Sequence, residues 1–273
     1  MKHLLIIDPQ NDFCDLPADQ IPARRMPALP VSGAHADMTR LSDFVSTRGQ
    51  EFERISITLD SHNPYHISHA NFWKCGDIDI APFTEISAED VAQRHITPRD
   101  DSLYESVLLY LTELEAQGRY KHMVWPEHCI VGTWGHNIHA LAQSACAAWE
   151  MKHSRAVDYI FKGLNHLCEC YSAVRPEVQT KNMRESILSI NAPLPRDVYK
   201  AKELYIAGEA GSHCVRATVE HLLEDMPDHE GRRPDVILLT DCMSPVSGFE
   251  EPYKMFLSEM QNRGVKLMSA SQT

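Results

Sequence analysis

Short apolar runs alternate with helically spaced apolar positions along most of this chain. Residues 3–7 (His-Leu-Leu-Ile-Ile) form a run of buried-strand type, closed by Asp8. Residues 38–47 predict a helix with Leu41, Phe44 and Val45 on one face. Residues 54–60 alternate as a strand and run into a His-rich loop that Pro64 keeps irregular. Residues 103–116 predict a helix with Leu108, Leu109, Leu111 and Leu114 on its apolar side. Residues 122–126 predict a short strand stopped by Pro126, and 137–151 a helix. Residues 157–161 read as a strand, followed at once by Lys162-Gly163. A helix over 177–189, a strand over 204–207 and a helix over 213–223 come next, the last with Val215, Val219, Leu222 and Leu223 on one side. Strand 235–240, helix 249–263 and strand 265–268 close the series.

Strands that alternate with helices predict an α/β fold, doubly wound, with a mainly parallel sheet and helices on both faces. We read residues 1–273 as a single domain. Segments 16–37, 70–101 and 164–176 lack clear periodicity and read as long loops inserted in it, apart from a helical turn after Ser87.

Composition narrows the classes. The formal charge of −12, without a basic run, argues against nucleic acid and anionic membranes as partners. No apolar run reaches membrane-spanning length, and the apolar start is too short for a secretory signal. The expectation is a cytoplasmic protein whose eight Cys are reduced. Homo-oligomerisation is left open.

In such sheets ligands bind beyond the carboxyl ends of the strands. Those ends carry Asp8, Asp60, Lys162 and Cys214. Cys214 falls in the first turn of a helix after the tight bend at Gly208–Gly211, where Ser212 offers an N-cap oxygen. The amino end of that helix favours a thiolate. A thiolate nucleophile needs a proton acceptor and a cation, roles that Asp8 and Lys162 can fill. The plain alternative is a small buried Cys beside a structural ion pair. Asp60, His62 and His128 form a carboxylate–imidazole set suited to Zn²⁺, Fe²⁺ or Mn²⁺, with His66 and His69 in the same loop. Solvated histidines are the alternative there.

These residues resemble a known family. Ile7-Asp8-Pro9-Gln10-Asn11-Asp12-Phe13 is similar to the opening motif of the isochorismatase-like cysteine hydrolases. Asp60-Ser61-His62-Asn63-Pro64-Tyr65-His66-Ile67-Ser68 resembles their D-x-H-x-x-x-H-x-S loop. The segment from Trp125 to Gly135 resembles the W-P-x-H-C-x-x-G-T-x-G pattern of the nicotinamidase branch. Phe161-Lys162-Gly163 matches the lysine motif, and residues 210–218 match the nucleophile elbow. Five motifs in the right order span residues 7–218.

The resemblance implies a cysteine amidohydrolase acting on a small amide through a thioester, foremost a nicotinamidase. It implies Asp8, Lys162 and Cys214 as the catalytic triad, with backbone N–H groups of Ala210 and Cys214 as the oxyanion hole and a cis peptide at Glu209–Ala210. It implies one divalent transition metal, foremost Zn²⁺, held by Asp60, His62 and His128. Phe13 and Trp125 match ring-stacking positions, and Tyr171 joins them as a substrate-binding candidate. Ser212 stands where the family usually carries Asp, and His69 where it carries Phe. These departures and the long loops keep two alternatives open: an isochorismatase-like or carbamoyl-amide hydrolase, and a catalytically silent regulatory member.

Overall fold

The structure is a computed structural model that describes residues 1–178, 194–226 and 234–272. Ten strands are described: β1 (Lys2–Ile7), β2 (Arg54–Asp60), β3 (Trp73–Lys74), β4 (Glu85–Ile86), β5 (Thr97–Pro98), β6 (His122–Met123), β7 (Asp158–Lys162), β8 (Glu203–Gly208), β9 (Asp235–Leu239) and β10 (Lys266–Met268). Six of them form one sheet in the order β10-β9-β8-β1-β2-β7, every pair parallel.

Alternation within β1 explains why both faces are covered. Leu5 and Ile7 point to one side and pack with Ile206, Leu238, Val219, Leu222, Phe256 and Met260. Leu4 and Ile6 point to the other and pack with Ile57, Met38, Leu41, Phe44, Cys146 and Trp149. The first face is closed by helices Arg216–Asp225 and Glu250–Asn262, the second by Ala34–Arg48 and Ala140–His153. A strand buried on both faces reads as an unbroken apolar run, as residues 3–7 do.

Several expectations need correction. The strand foreseen over 122–126 does not enter the main sheet. Within it His122–Met123 pairs antiparallel with Glu85–Ile86, and Trp125 makes an isolated bridge to His69. Segment 70–101 is not structureless. It holds β3, β4, β5 and the helix Ala88–Ala92, which is closed by a capping box between Ser87 and Asp90. With the helix Tyr104–Gln117 it builds a third apolar core around Phe72, Trp73, Ile86, Val91 and Tyr110. In that helix the core face is Val107, Tyr110, Leu111 and Leu114, while Leu109 is 45% exposed. The i, i+3, i+4, i+7 spacing starts at 107 and selects a different stripe from the leucine run.

The first helix starts at Ala34, after Gly33 at φ 97°, so the loop before it is shorter than 16–37. The helix foreseen over 177–189 lies outside the described residues from 179 on, and Glu177 and Val178 are not helical. All eight Cys are free thiols. No described helix is long and apolar enough to cross a membrane.

Candidate active site

Register brings the chemistry together. In the parallel pairing Asp60 stands beside Lys162 and Ile7 beside Gly208. The carboxyl ends of β1, β2, β7 and β8 therefore converge where the strand order reverses, the crevice position expected of a doubly wound sheet. Lys162 is the last residue of β7 rather than the first after it.

Lys162 is fully buried. Its Nζ lies 2.9 Å from Asp8 Oδ2, 2.9 Å from Asp60 Oδ1 and 3.5 Å from Cys214 Sγ, and it donates to the Cys170 carbonyl at 3.1 Å. Burial alone would lower its pKa, but Asp60 and Asp8, with Cys214, hold it well above the ordinary lysine value. Asp8 sits at φ 42°. Its amide donates to Thr58 Oγ1 at 3.0 Å, and that hydroxyl donates back to Asp8 Oδ1 at 2.6 Å. Burial raises the Asp8 carboxyl against the opposing pull of Lys162. The helix end is not the only influence on the Cys214 thiol. Burial pushes Cys214 well above the usual thiol value, Lys162 only partly offsets it, and a hydrogen bond to Asp8 also favours the thiol. A water-free floor penalises the charged form more than one cation repays.

The elbow differs from the foreseen helix start. Gly211–Val215 is a turn of π-helix, and the α-helix begins at Arg216. Ser212 does not cap it, because its Oγ accepts from Val246 N–H at 3.0 Å. The Glu209–Ala210 peptide is cis. His213 and Val215 both donate to the Ala210 carbonyl, which pins the turn around Cys214.

Asp60, His62 and His128 offer three ligand atoms within 4.8 Å of one another, all from buried residues. Gln10 fixes Asp60 by accepting from its N–H at 2.7 Å and donating to its carbonyl at 2.8 Å. His128 follows β6, which lies outside the main sheet. It lies on a segment bridged to the Asp60 loop through His62–Ile130 and His69–Trp125. Its Nδ1–H donates to the Pro126 carbonyl at 2.8 Å, which leaves Nε2 with a lone pair 3.4 Å from Asp60 Oδ2. The set fits a divalent transition metal: one anionic oxygen, two imidazole nitrogens, and a carbonyl orienting His128.

A small cavity lies over these groups. Phe13, Trp125 and Tyr171 supply aromatic walls, while Asp60, His128, Ala210 and Cys214 reach its lining. Trp125 Nε1 donates to the Tyr171 hydroxyl at 3.2 Å. An outer cavity of about 200 Å³ shares Trp125, Tyr171 and His213 as walls. The sequence reading missed Glu169, which lines the inner cavity with Oε1 accepting from Cys170 N–H at 2.9 Å and Oε2 unpartnered. Its place between two Cys in the loop after Lys162 was the available signal. It gave no role to Thr58, nor to Gln10 and Asp12 of the opening motif, which hold Asp8, Asp60 and the Cys129 backbone. Asp12 Oδ2 accepts from Cys129 N–H at 2.7 Å, next to His128.

No protein-family model and no curated protein sequence matches the chain. The class of fold is nevertheless plain from solved structures: it is that of the nicotinamidases and isochorismatase-like hydrolases. The yeast nicotinamidase Pnc1p aligns over 98% of this chain and 99% of its own at a TM-score of 0.65 and 21% identity. A pyrazinamidase of Pyrococcus horikoshii, solved in complex with zinc, aligns over 98% of each chain at 0.53 and 19% identity. An isochorismatase-like hydrolase of Alkaliphilus metalliredigens covers 99% of this chain, and 96% of it is covered in turn, at 0.51 and 15% identity.

Proposed function

We propose that this protein is a cysteine amidohydrolase that cleaves nicotinamide to nicotinate and ammonia. One observation carries the reading: Cys214 lines an aromatic-walled cavity together with Asp60 and His128, and the buried Lys162 ammonium behind it touches both Cys214 and Asp8.

The chemistry follows from the ionic states. Burial favours the thiol form of Cys214, with Asp8 close enough to raise it further. As the sulfur attacks the carboxamide carbon, its proton passes to Asp8 and the S–C bond forms. Lys162 steadies the charge between sulfur and carboxylate. Backbone N–H groups of Ala210 and Cys214 receive the oxyanion. Asp8 then gives its proton to the leaving nitrogen, the C–N bond breaks, and ammonia departs. Asp8 next takes a proton from water, which attacks the thioester. Nicotinate leaves and sulfur is reprotonated. An acid raised by burial is suited to this two-way traffic near neutral pH.

Asp60, His62 and His128 would hold a divalent transition metal, Zn²⁺ foremost, with Fe²⁺ or Mn²⁺ as alternatives. When bound, it supplies a Lewis acid for the ring nitrogen of a pyridine amide. Phe13 and Trp125 would clasp that ring. His128, turned so that Nε2 faces Asp60, favours this branch over a carbamoyl-amide or isochorismatase-like hydrolase, which does not need it. The complete triad opposes a silent regulatory role. Ammonia release from nicotinamide, assayed with and without a chelator, tests the reading. Hydrolysis that chelation stops is expected. No release from nicotinamide by metal-loaded protein overturns it.

A further inference from the structure

We propose that His69 accepts, through Nε2, a hydrogen bond from a water on the ion held by Asp60, His62 and His128, and so sets how tightly the chain keeps that ion. The proposal rests on the reading of those three residues as a metal site.

The argument begins with the tautomer. His69 Nδ1 lies 3.1 Å from the Pro64 carbonyl. A carbonyl can only accept, so the proton sits on Nδ1 and Nε2 carries a lone pair. That Nε2 is buried and has no hydrogen-bond partner, in a residue with no exposed surface. A buried acceptor without a donor is costly, and native chains rarely leave one so.

Its surroundings say what the donor is. The His69 ring stands edge-on to His62 at 5.4 Å and to His128 at 5.5 Å, and those two imidazoles of the candidate ligand set are 4.9 Å apart, so the three rings form a triangle. Yet His69 is not in the group whose ligand atoms lie within 4.8 Å of one another. It is therefore near the ion's place but a step away, the spacing of a water-bridged contact. A water on a divalent cation is a strong donor and a poor acceptor, so it matches a lone pair.

His66 makes the contrast. Its ring is as close to His62, at 4.3 Å. Its Nδ1, however, accepts from the Ser68 backbone N–H at 3.2 Å, which puts the proton on Nε2. His66 thus offers only a donor inward, whereas His69 offers an acceptor. The His69 backbone is held by its own N–H to the His66 carbonyl and by Phe72 N–H to its carbonyl. Asn71 also donates to the Pro64 carbonyl at 2.8 Å, so the carbonyl that fixes the tautomer is itself fixed.

Two variants of the full chain separate the acceptor from mere packing. His69→Asn keeps an N–H for the Pro64 carbonyl but has no acceptor at the Nε2 position. His69→Gln can place an amide oxygen there. Each metal-stripped protein is titrated with Zn²⁺ against a chromophoric chelator, and folding is checked by circular dichroism. Wild type should bind one ion, His69→Asn about 10- to 100-fold more weakly, and His69→Gln close to wild type. Equal affinity in wild type and His69→Asn overturns the proposal while leaving the metal site standing. So does equal weakening in both variants, which would mark a packing role. Complete loss in His69→Asn would make His69 a direct ligand and overturn the water-mediated role. Absence of Zn²⁺ binding by wild type would instead overturn the metal-site reading itself.

Discussion

The Nζ of Lys162 stands 3.5 Å from the Sγ of Cys214, and both side chains are buried. The same ammonium touches Asp8 and Asp60 at 2.9 Å each. One cation thus joins the acid of the reaction, the acid of the candidate metal site and the thiol. The proposed catalytic half and the candidate metal site are electrostatically one unit, and substitutions in either should be felt in the other.

Cys214→Ala should lower turnover by roughly 10⁴-fold or more with the fold intact, since a small residue suits the buried turn at Gly211–Val215. Ammonia assays beside circular dichroism check this. Substantial residual activity would remove Cys214 from the role of nucleophile.

Lys162→Met strands two buried carboxylates. The loss of one partner from a buried ion pair should cost about 3–5 kcal/mol in urea unfolding. With the cation that holds Asp8 down gone, the Asp8 carboxyl should rise further and the acidic limb of the kcat/KM profile should move to higher pH. An unchanged profile in a folded variant would show that Lys162 does not act on the proposed proton acceptor.

Loss of His128 should empty the candidate metal site. We expect about one divalent transition ion per chain in wild type and none in His128→Ala, with nicotinamide hydrolysis falling in parallel. Elemental analysis decides, and a fully active metal-free wild type would direct attention to the carbamoyl-amide branch.

Stability should fall on mild acidification. Burial lowers His122 and His3 to about 4 each. His122 donates Nε2–H to the Ile67 carbonyl at 3.0 Å and has no room for a second proton's hydration. The unfolded chain takes up protons near pH 6.5 and the folded chain does not, so the neutral-state stability is present above 6.5. It is lost as pH falls toward 4, by about 3 kcal/mol for each residue. Urea unfolding from pH 7.5 to 4.5 measures the slope, and His122→Gln should flatten it.

Gly208→Ala should be among the most damaging single changes. Gly208 lies at φ 118°, and a Cβ there would come 1.9 Å from the Ile7 carbonyl oxygen. The strand carrying Asp8 would have to part from the strand leading to Cys214, at about 3 kcal/mol or more. Thermal unfolding of the variant checks this, and an unshifted midpoint would contradict the close packing of β1 and β8.

The sequence by itself determined the six strands of the main sheet: β1, β8 and β9 as short apolar runs buried on both faces, β2 by its alternation, and the edge strands β7 and β10 as partly exposed runs. It also determined the residues of the site, since Asp8, Asp60, Lys162 and Cys214 each follow or end such a run. Only tertiary structure decided how they meet. Asp60 and Lys162 are 102 residues apart and become neighbours through the β2–β7 register, which no local pattern encodes. The apolar residues of 122–126 satisfied a strand pattern, yet the segment stays outside the main sheet, with Val124 in the third core and Met123 and Trp125 packed in the core on one sheet face, because local periodicity reports burial and not the partner. The state of Cys214 was read from one helix end, whereas desolvation by every surrounding element pushes it toward the thiol. The same reason hid Glu169 and the free nitrogen of His69: a polar atom is unpartnered only with respect to everything around it, and what surrounds it is supplied by distant parts of the chain.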